Sequence, residues 1–149
     1  MNFPDENAEA IRRMTEKGIR PSVQRIAILN YLLSHPEHPS VDSVYTALLP
    51  SYPTISRTTV YNTLHLFSQN NVVLTVCIDG NEIRYDGLTK PHFHFKCKKC
   101  GKIYDIVNDD SIPAIYKTCF AQLPENFSAE KLELDMWGVC AQCASSENS

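Results

Sequence analysis

The apolar positions of this chain change period part-way along it. Over residues 6–69 they recur at helical spacing; beyond residue 72 they come as β-branched runs and short alternating stretches. Residues 6–17 predict a first helix, with Ala10, Ile11 and Met14 on one stripe and Gly18 as its stop. Ser22 is placed to cap a second helix, apolar at Val23, Ile26, Ala27, Leu29, Leu32 and Leu33 and ended by His35-Pro36. Pro39-Ser40 opens a third over residues 41–49, with Val44, Tyr45 and Leu48 inward, before Pro50 and Pro53 break the pattern. Ser56 caps a fourth, running to Gln69, with Val60, Leu64 and Phe67 on its apolar face. Its other face carries Arg57, Thr58, Tyr61, Asn62 and His65 and no acid. A solvated helix usually mixes in carboxylates, whereas a face that meets phosphates excludes them.

Residues 72–78 form a β-branched run, Asp79-Gly80-Asn81 predicts a turn, and residues 82–85 return. Helices followed by such a hairpin describe a winged helix-turn-helix. Cys77 alternates within the wing strand and is expected to pack there. Residues 87–91 read as a linker. Beyond it, residues 93–96 and 102–107 predict two strands around a Cys-x-x-Cys-Gly knuckle. Asp109-Asp110-Ser111 is expected to cap a helix to about Leu123, with Ile112, Ile115, Tyr116, Cys119 and Leu123 as its core stripe. Residues 132–137 alternate, which predicts a strand with one buried face, and residues 145–149 form a polar tail. The fold class is therefore α+β: a winged-helix domain over residues 1–86, a hinge at 87–91, and a second domain over 92–149.

Composition adds limits. The 149 residues are 43% hydrophobic and 21% charged, ordinary for a folded soluble protein. No apolar run approaches the roughly 20 residues that cross a bilayer, and the acidic N-terminus has no signal-peptide pattern. A net charge of −3 gives no global support for nucleic acid. Locally, Arg12, Arg13, Lys17, Arg20 and Arg25 face one acid, Glu16, which reads either as a phosphate-facing patch or as a solvated helix face.

Six cysteines are present. Cys97-x-x-Cys100 and Cys140-x-x-Cys143 are separated by residues 101–139, and each turn brings two sulfurs to one metal, so the pairs predict a closed, structural four-thiolate zinc site. Redox chemistry or disulfides would need a different frame. Cys119 reads as core. His92 and His94 alternate on a strand and project from one face, with Phe93 and Phe95 expected to enter a core on the other. With Asp105 close in sequence they suit a second metal of harder character, and Asp86 offers a further oxygen. Spacing alone does not join His38 to them. A zinc deaminase is disfavoured, because His92 and His94 lack a glutamate at the required offset and four sulfurs close the zinc. No Ser/His/Asp order and no Gly-rich phosphate loop point to an enzyme.

Six segments together resemble the ferric uptake regulator (Fur) superfamily. They are G-I-R-P-S-V-Q-R (18–25), H-P-S-V-D-S-V-Y (38–45), T-I-S-R-T-T-V-Y-N-T-L (54–64), R-Y-D (84–86), H-F-H-F-K-C-K-K-C-G-K-I-Y-D (92–105) and G-V-C-A-Q-C (138–143). The resemblance implies a winged-helix domain joined to an α/β dimerisation domain, in a homodimeric, metal-dependent repressor that binds double-stranded operator DNA in the cytoplasm. Within the superfamily the pattern is most similar to the peroxide-responsive PerR type, and the type's regulatory ligands fall on His38, Asp86, His92, His94 and Asp105. The implied cofactors are structural Zn(II) and regulatory Fe(II) or Mn(II). Iron-uptake regulators tend to have glutamate where Asp105 stands, and carry histidine just before the last strand, where this chain reads Ser128-Ala129-Glu130-Lys131-Leu132. An iron-uptake regulator is the alternative. The resemblance also implies that Tyr61 and Asn62 approach base edges, beside Arg57 and Thr58 on the same helix face, with Arg20 at the minor groove and Arg25 at a phosphate.

Overall fold

The computed structural model describes residues 6–78, 80 and 82–146. They form two compact units, the first ending at Thr89 and the second beginning at Lys90.

The first unit comprises α1 (Ala8–Glu16), α2 (Val23–Ser34), α3 (Val41–Leu48), α4 (Arg57–Gln69), β1 (Leu74–Val76) and β2 (Arg84–Asp86). Three serines start three helices as their positions require. Ser22, Ser40 and Ser56 each accept a hydrogen bond from the backbone N–H three residues on, at 3.2, 3.2 and 3.0 Å. Met14, Ile28, Leu29, Leu32, Val44, Val60, Leu64 and Phe67 form one core, closed by Val72, Val73 and Tyr85. Val23, counted among the apolar positions of α2, is instead exposed at its first turn.

The wing is shorter than the β-branched run suggests. Val72 and Val73 donate their backbone N–H groups to Phe67 O at 2.9 and 3.5 Å. They therefore finish α4 and fill the core rather than enter the ladder. The pairing is antiparallel, Leu74 to Asp86, Thr75 to Tyr85 and Val76 to Arg84. The return strand is Arg84–Asp86 rather than residues 82–85. Asp79 and Asn81 of the expected turn lie outside the described residues. Cys77 falls beyond the end of β1 and is exposed, so it does not pack in the wing. On the other edge of β2, Tyr85 N–H donates to Pro39 O at 3.0 Å and Ser40 bridges to Arg84. This edge contact ties the loop between α2 and α3 to the end of the wing.

The basic run resolves in favour of a solvated helix face at its start. Arg12 is held by Glu9 and Glu16 at 2.7 and 2.8 Å, and Arg13 by Glu9 at 2.8 Å and by Gly87 O at 2.6 Å. Both guanidiniums are engaged within the unit.

The second unit holds β3 (Phe93–Cys97), β4 (Ile103–Ile106), α5 (Ser111–Ala121), β5 (Asp135–Gly138) and α6 (Ala141–Ser146). β3 is central, antiparallel to β4 and parallel to β5. The acidic cap expected for α5 is not the one used. Asn108 Oδ1 accepts from the N–H groups of Asp110 and Ser111 at 3.1 and 2.9 Å. Of the stripe expected in the core of α5, Ile112 is buried, Tyr116 and Cys119 are half-buried, and Ile115 and Leu123 are exposed. β5 starts only at Asp135 and has no fully buried face, with Met136 and Trp137 exposed. Around β3 the expectation inverts: His92 and His94 are buried, while Phe93 and Phe95 are half-buried, stacking on Tyr116 and tilting against Tyr104.

Phe67→Ala is expected to destabilise the first unit by about 3–5 kcal/mol through loss of a fully buried ring. Urea denaturation followed by helical circular dichroism measures this, and the metal content of the second unit is expected to stay unchanged.

Candidate metal centres and a nucleic-acid face

The four cysteines converge where β3 ends. Gly101, at φ 76°, lets the chain reverse after Cys100, and Cys97 N–H donates to Lys102 O at 3.0 Å as the knuckle enters β4. The parallel partner places Gly138 beside Cys97, and Lys98 N–H donates to Gly138 O at 2.7 Å. A Cβ at Gly138 would lie 3.2 Å from the Phe95 ring, so the ring would have to shift by a few tenths of an ångström to admit it. The second Cys-x-x-Cys then sits on the first turn of α6, with Ala144 N–H donating to Cys140 O at 2.9 Å. α6 is absent from the sequence reading; its six residues are too short for a periodic signal.

All four sulfurs lie within 4.8 Å of one another, and none of the cysteines is in a disulfide. Cys100 Sγ and Cys140 Sγ are 3.8 Å apart. A tetrahedral zinc with bonds of about 2.3 Å has S···S edges of about 3.8 Å, so the cluster fits that ion. The backbone prepares the thiolates. Cys97 is pulled down to about 6 by backbone N–H groups, first that of Cys100 and then that of Cys140. The backbone N–H of Cys143 and then the Tyr104 hydroxyl lower Cys140. Cys143 is pushed up to about 12, chiefly by its hydrogen bond to Cys140, so it keeps its proton in the metal-free protein.

A second constellation stands on β3 and β4. Register sets His94 opposite Asp105. His92 Nε2 and His94 Nε2 are 3.0 Å apart, and they lie 3.3 and 3.4 Å from Asp105 Oδ1. An ion bound at about 2.1 Å has ligand edges of about 3.0 Å when octahedral and about 3.4 Å when tetrahedral, so these three atoms fit one cation. His92 Nδ1 lies 2.7 Å from Lys90 O. A carbonyl only accepts, so Nδ1 carries the proton and Nε2 presents its lone pair. Tyr116 Oη donates to His92 O at 2.9 Å and fixes the backbone there.

The first unit holds a matching pair. His38 is 1% exposed and adopts φ 60°, a conformation uncommon outside glycine, in the loop tied to β2. Its Nε2 lies 3.3 Å from Asp86 Oδ2, while Asp86 Oδ1 accepts from Leu88 N–H at 2.9 Å. Imidazole with carboxylate is a donor set for Fe, Mn or Zn rather than for a soft ion.

The acid-free face of α4 is exposed at Arg57, Thr58, Tyr61, Asn62 and His65. Tyr61 and His65 stack at 5.9 Å. Arg57 pairs with Asp42 at 2.5 Å and lies 5.0 Å over the Tyr45 ring, a restraint that helical spacing does not reveal. Arg20 is exposed, and Arg25 is half-buried and donates to Arg20 O at 2.8 Å. Sequence reasoning also passed over Asp135, whose Oδ1 lies 3.6 Å from His94 Nδ1. The alternation of residues 132–137 had put it on the polar side of a strand, and only the parallel register brings it to a histidine.

Comparison with known proteins follows the same lines. The model of the ferric uptake regulator family matches residues 16–137. The chain is similar to the peroxide-responsive repressor PerR of Staphylococcus epidermidis, 34% identical over 145 residues, covering 96% of this chain and 93% of that protein. Among solved structures it is similar to PerR from Streptococcus pyogenes, at 30% identity and a TM-score of 0.51, with 93% of each chain covered. It also shares the fold of the Vibrio cholerae ferric uptake regulator, at 24% identity and a TM-score of 0.63, covering 87% of this chain and 98% of that one.

Loading zinc into the reduced, metal-free protein at pH 7 is expected to release fewer than four protons per ion, because the Cys97 thiol has largely ionised already. Proton release against a pH indicator measures this, and a full four would return Cys97 to the ordinary thiol range.

Proposed function

Because the chain belongs to the ferric uptake regulator family, we propose that it is a homodimeric, metal-dependent repressor that releases operator DNA in response to peroxide. The observation that carries this reading is the meeting of two Nε2 atoms and one carboxylate oxygen within 3.0–3.4 Å beside a separate four-sulfur cluster. Soft and hard donors stand on one strand, which suits one ion that stays and one that exchanges.

Structural Zn(II) is assigned to Cys97, Cys100, Cys140 and Cys143. The labile ion, Fe(II) or Mn(II), is assigned to His38, Asp86, His92, His94 and Asp105. The first two come from the first unit and the last three from the second, and each set brings donor atoms at edge lengths one cation accepts. An ion that needs both sets favours one arrangement of the units, and so one spacing of the two α4 helices in a dimer. Residues 1–86 act as the reading head, 87–91 as the hinge and 92–149 as the pairing and metal-binding module. On α4, Tyr61 and Asn62 face base edges, with Arg57 and Thr58 beside them; Arg20 serves the minor groove and Arg25 a phosphate. Apolar surface at Ile115, Phe120, Phe127, Met136 and Trp137 offers a second copy of the chain an area to cover. No helix of the described residues is long and apolar enough to cross a membrane. Membership of a family of transcriptional regulators supports action in the cytoplasm by binding rather than by turnover.

The peroxide response is supported by the relatives that are named for it and by aspartate at position 105. Fe(II) held by these residues would supply the one-electron chemistry that splits the O–O bond of hydrogen peroxide; in the net balance one peroxide oxygen adds to an imidazole carbon and the other leaves as water. The imidazoles of His38 and His92 stand next to that chemistry, and an oxidised ring is a poor donor. Losing either one removes a ligand, and the preference for the DNA-binding arrangement goes with it.

Fe(II)-loaded and Mn(II)-loaded protein, both zinc-replete, are expected to bind the same genomic fragments. Peroxide is expected to release only the Fe(II) form, with one oxygen atom gained on the peptide holding His38 or His92, read by mass spectrometry. Release on iron chelation with no mass gain would instead give the iron-uptake reading.

A further inference from the structure

The imidazoles of His92, just before β3, and of His94, on it, are held by different means. His92 donates from Nδ1 to a backbone carbonyl, Lys90 O, at 2.7 Å. For His94 the corresponding nitrogen faces a carboxylate. The parallel register sets Asp135 directly beside His94, and Asp135 Oδ1 lies 3.6 Å from His94 Nδ1. That oxygen is buried and accepts no hydrogen bond among the described residues. A buried acceptor without a donor is costly. A shift of a few tenths of an ångström closes the contact and removes that cost. The strand is anchored for it, because His94 N–H donates to Leu134 O at 3.2 Å, next to Asp135 in the chain.

We propose that Asp135 is a positioning residue for the labile metal: it accepts the Nδ1 proton of His94, which fixes the tautomer that presents Nε2 toward Asp105 and makes this imidazole the more electron-rich of the pair. The inference rests on the assignment of His94 as a ligand. A carboxylate behind a ligating imidazole raises its basicity and holds its ring plane, and removing such a partner typically weakens metal binding by about 10–100-fold. His92, backed by a neutral carbonyl, is then the weaker donor of the two. Glu133, two residues before Asp135, is close enough to His94 and Asp135 to be a rival partner, and Lys131 engages it at 3.1 Å.

The test uses full-length, zinc-loaded protein and the variants Asp135→Ala, Asp135→Asn and Glu133→Gln. In the absence of labile metal, nitrogen NMR of the His94 ring is expected to show the Nδ1–H form in the parent and a tautomer mixture in Asp135→Ala. Mn(II) affinity is expected to fall about 10–100-fold in Asp135→Ala, less in Asp135→Asn, where an amide oxygen can still accept, and not in Glu133→Gln. Thermal unfolding of the metal-free-site protein separates this from a damaged strand; Asp135→Asn preserves shape if Asp135→Ala does not fold. An unchanged tautomer with Mn(II) affinity within twofold in both Asp135 variants overturns the inference. So does a parent that binds two labile Mn(II) ions and an Asp135→Asn that binds one, which would make Asp135 a direct ligand of a separate ion. Full Mn(II) affinity in His94→Ala would remove the ligand assignment itself, a distinct failure.

Discussion

The register of β3 between its two neighbours is the constraint on which both metal centres depend. Against β4 it sets His94 opposite Asp105; against β5 it sets Cys97 opposite Gly138 and His94 opposite Asp135. Side chains alternate along a strand, so a slip of one residue would turn the histidines to the other face and separate the cysteine turns. Two chemistries thus share one alignment. Sulfur clusters at the end of the strand, where the knuckle and α6 meet. Imidazole and carboxylate gather at its start.

This arrangement divides the labour between backbone and side chains. At the cysteines, backbone N–H groups favour thiolates before any ion arrives. At the histidines, the acceptors behind the rings set which nitrogen carries the proton, a carbonyl for His92 and, on our proposal, the Asp135 carboxylate for His94. A closed set of four sulfurs would leave a zinc ion no open position, which suits a structural role. Histidine and aspartate bind less tightly and exchange, which a regulatory ion requires. The first unit contributes through a strained loop: His38 at positive φ is held next to Asp86 by the edge contact of Pro39 and Ser40 with β2. Strain of that kind persists where the surrounding structure fixes the residue for a purpose.

Much of the first unit was legible because its signals are local. Serine caps, prolines and the 3.6-residue period place α1 to α4 within a residue or two. The wing was read too long because β-branched valines at 72 and 73 satisfy strand propensity yet serve the end of α4. The second unit was less legible because its partners are distant in sequence. Parallel pairing of β3 with β5 has no local signature, and α6 is too short for one. The alternation of residues 132–137 and the stripe of α5 promised buried faces, yet Ile115, Leu123, Met136 and Trp137 are exposed. The clustering of the four cysteines was legible in their spacing, since each Cys-x-x-Cys is itself a local geometry. The resemblance, rather than spacing, brought His38 into the ligand set.

The central proposal is that one exchangeable ion would take imidazoles from both units. Pulsed electron paramagnetic resonance of Mn(II)-loaded protein carrying nitrogen-15 histidine counts the rings bound to the ion. Three coordinated imidazoles are predicted for the parent and two for His38→Ala. Two in the parent, unchanged by His38→Ala, would contradict the account.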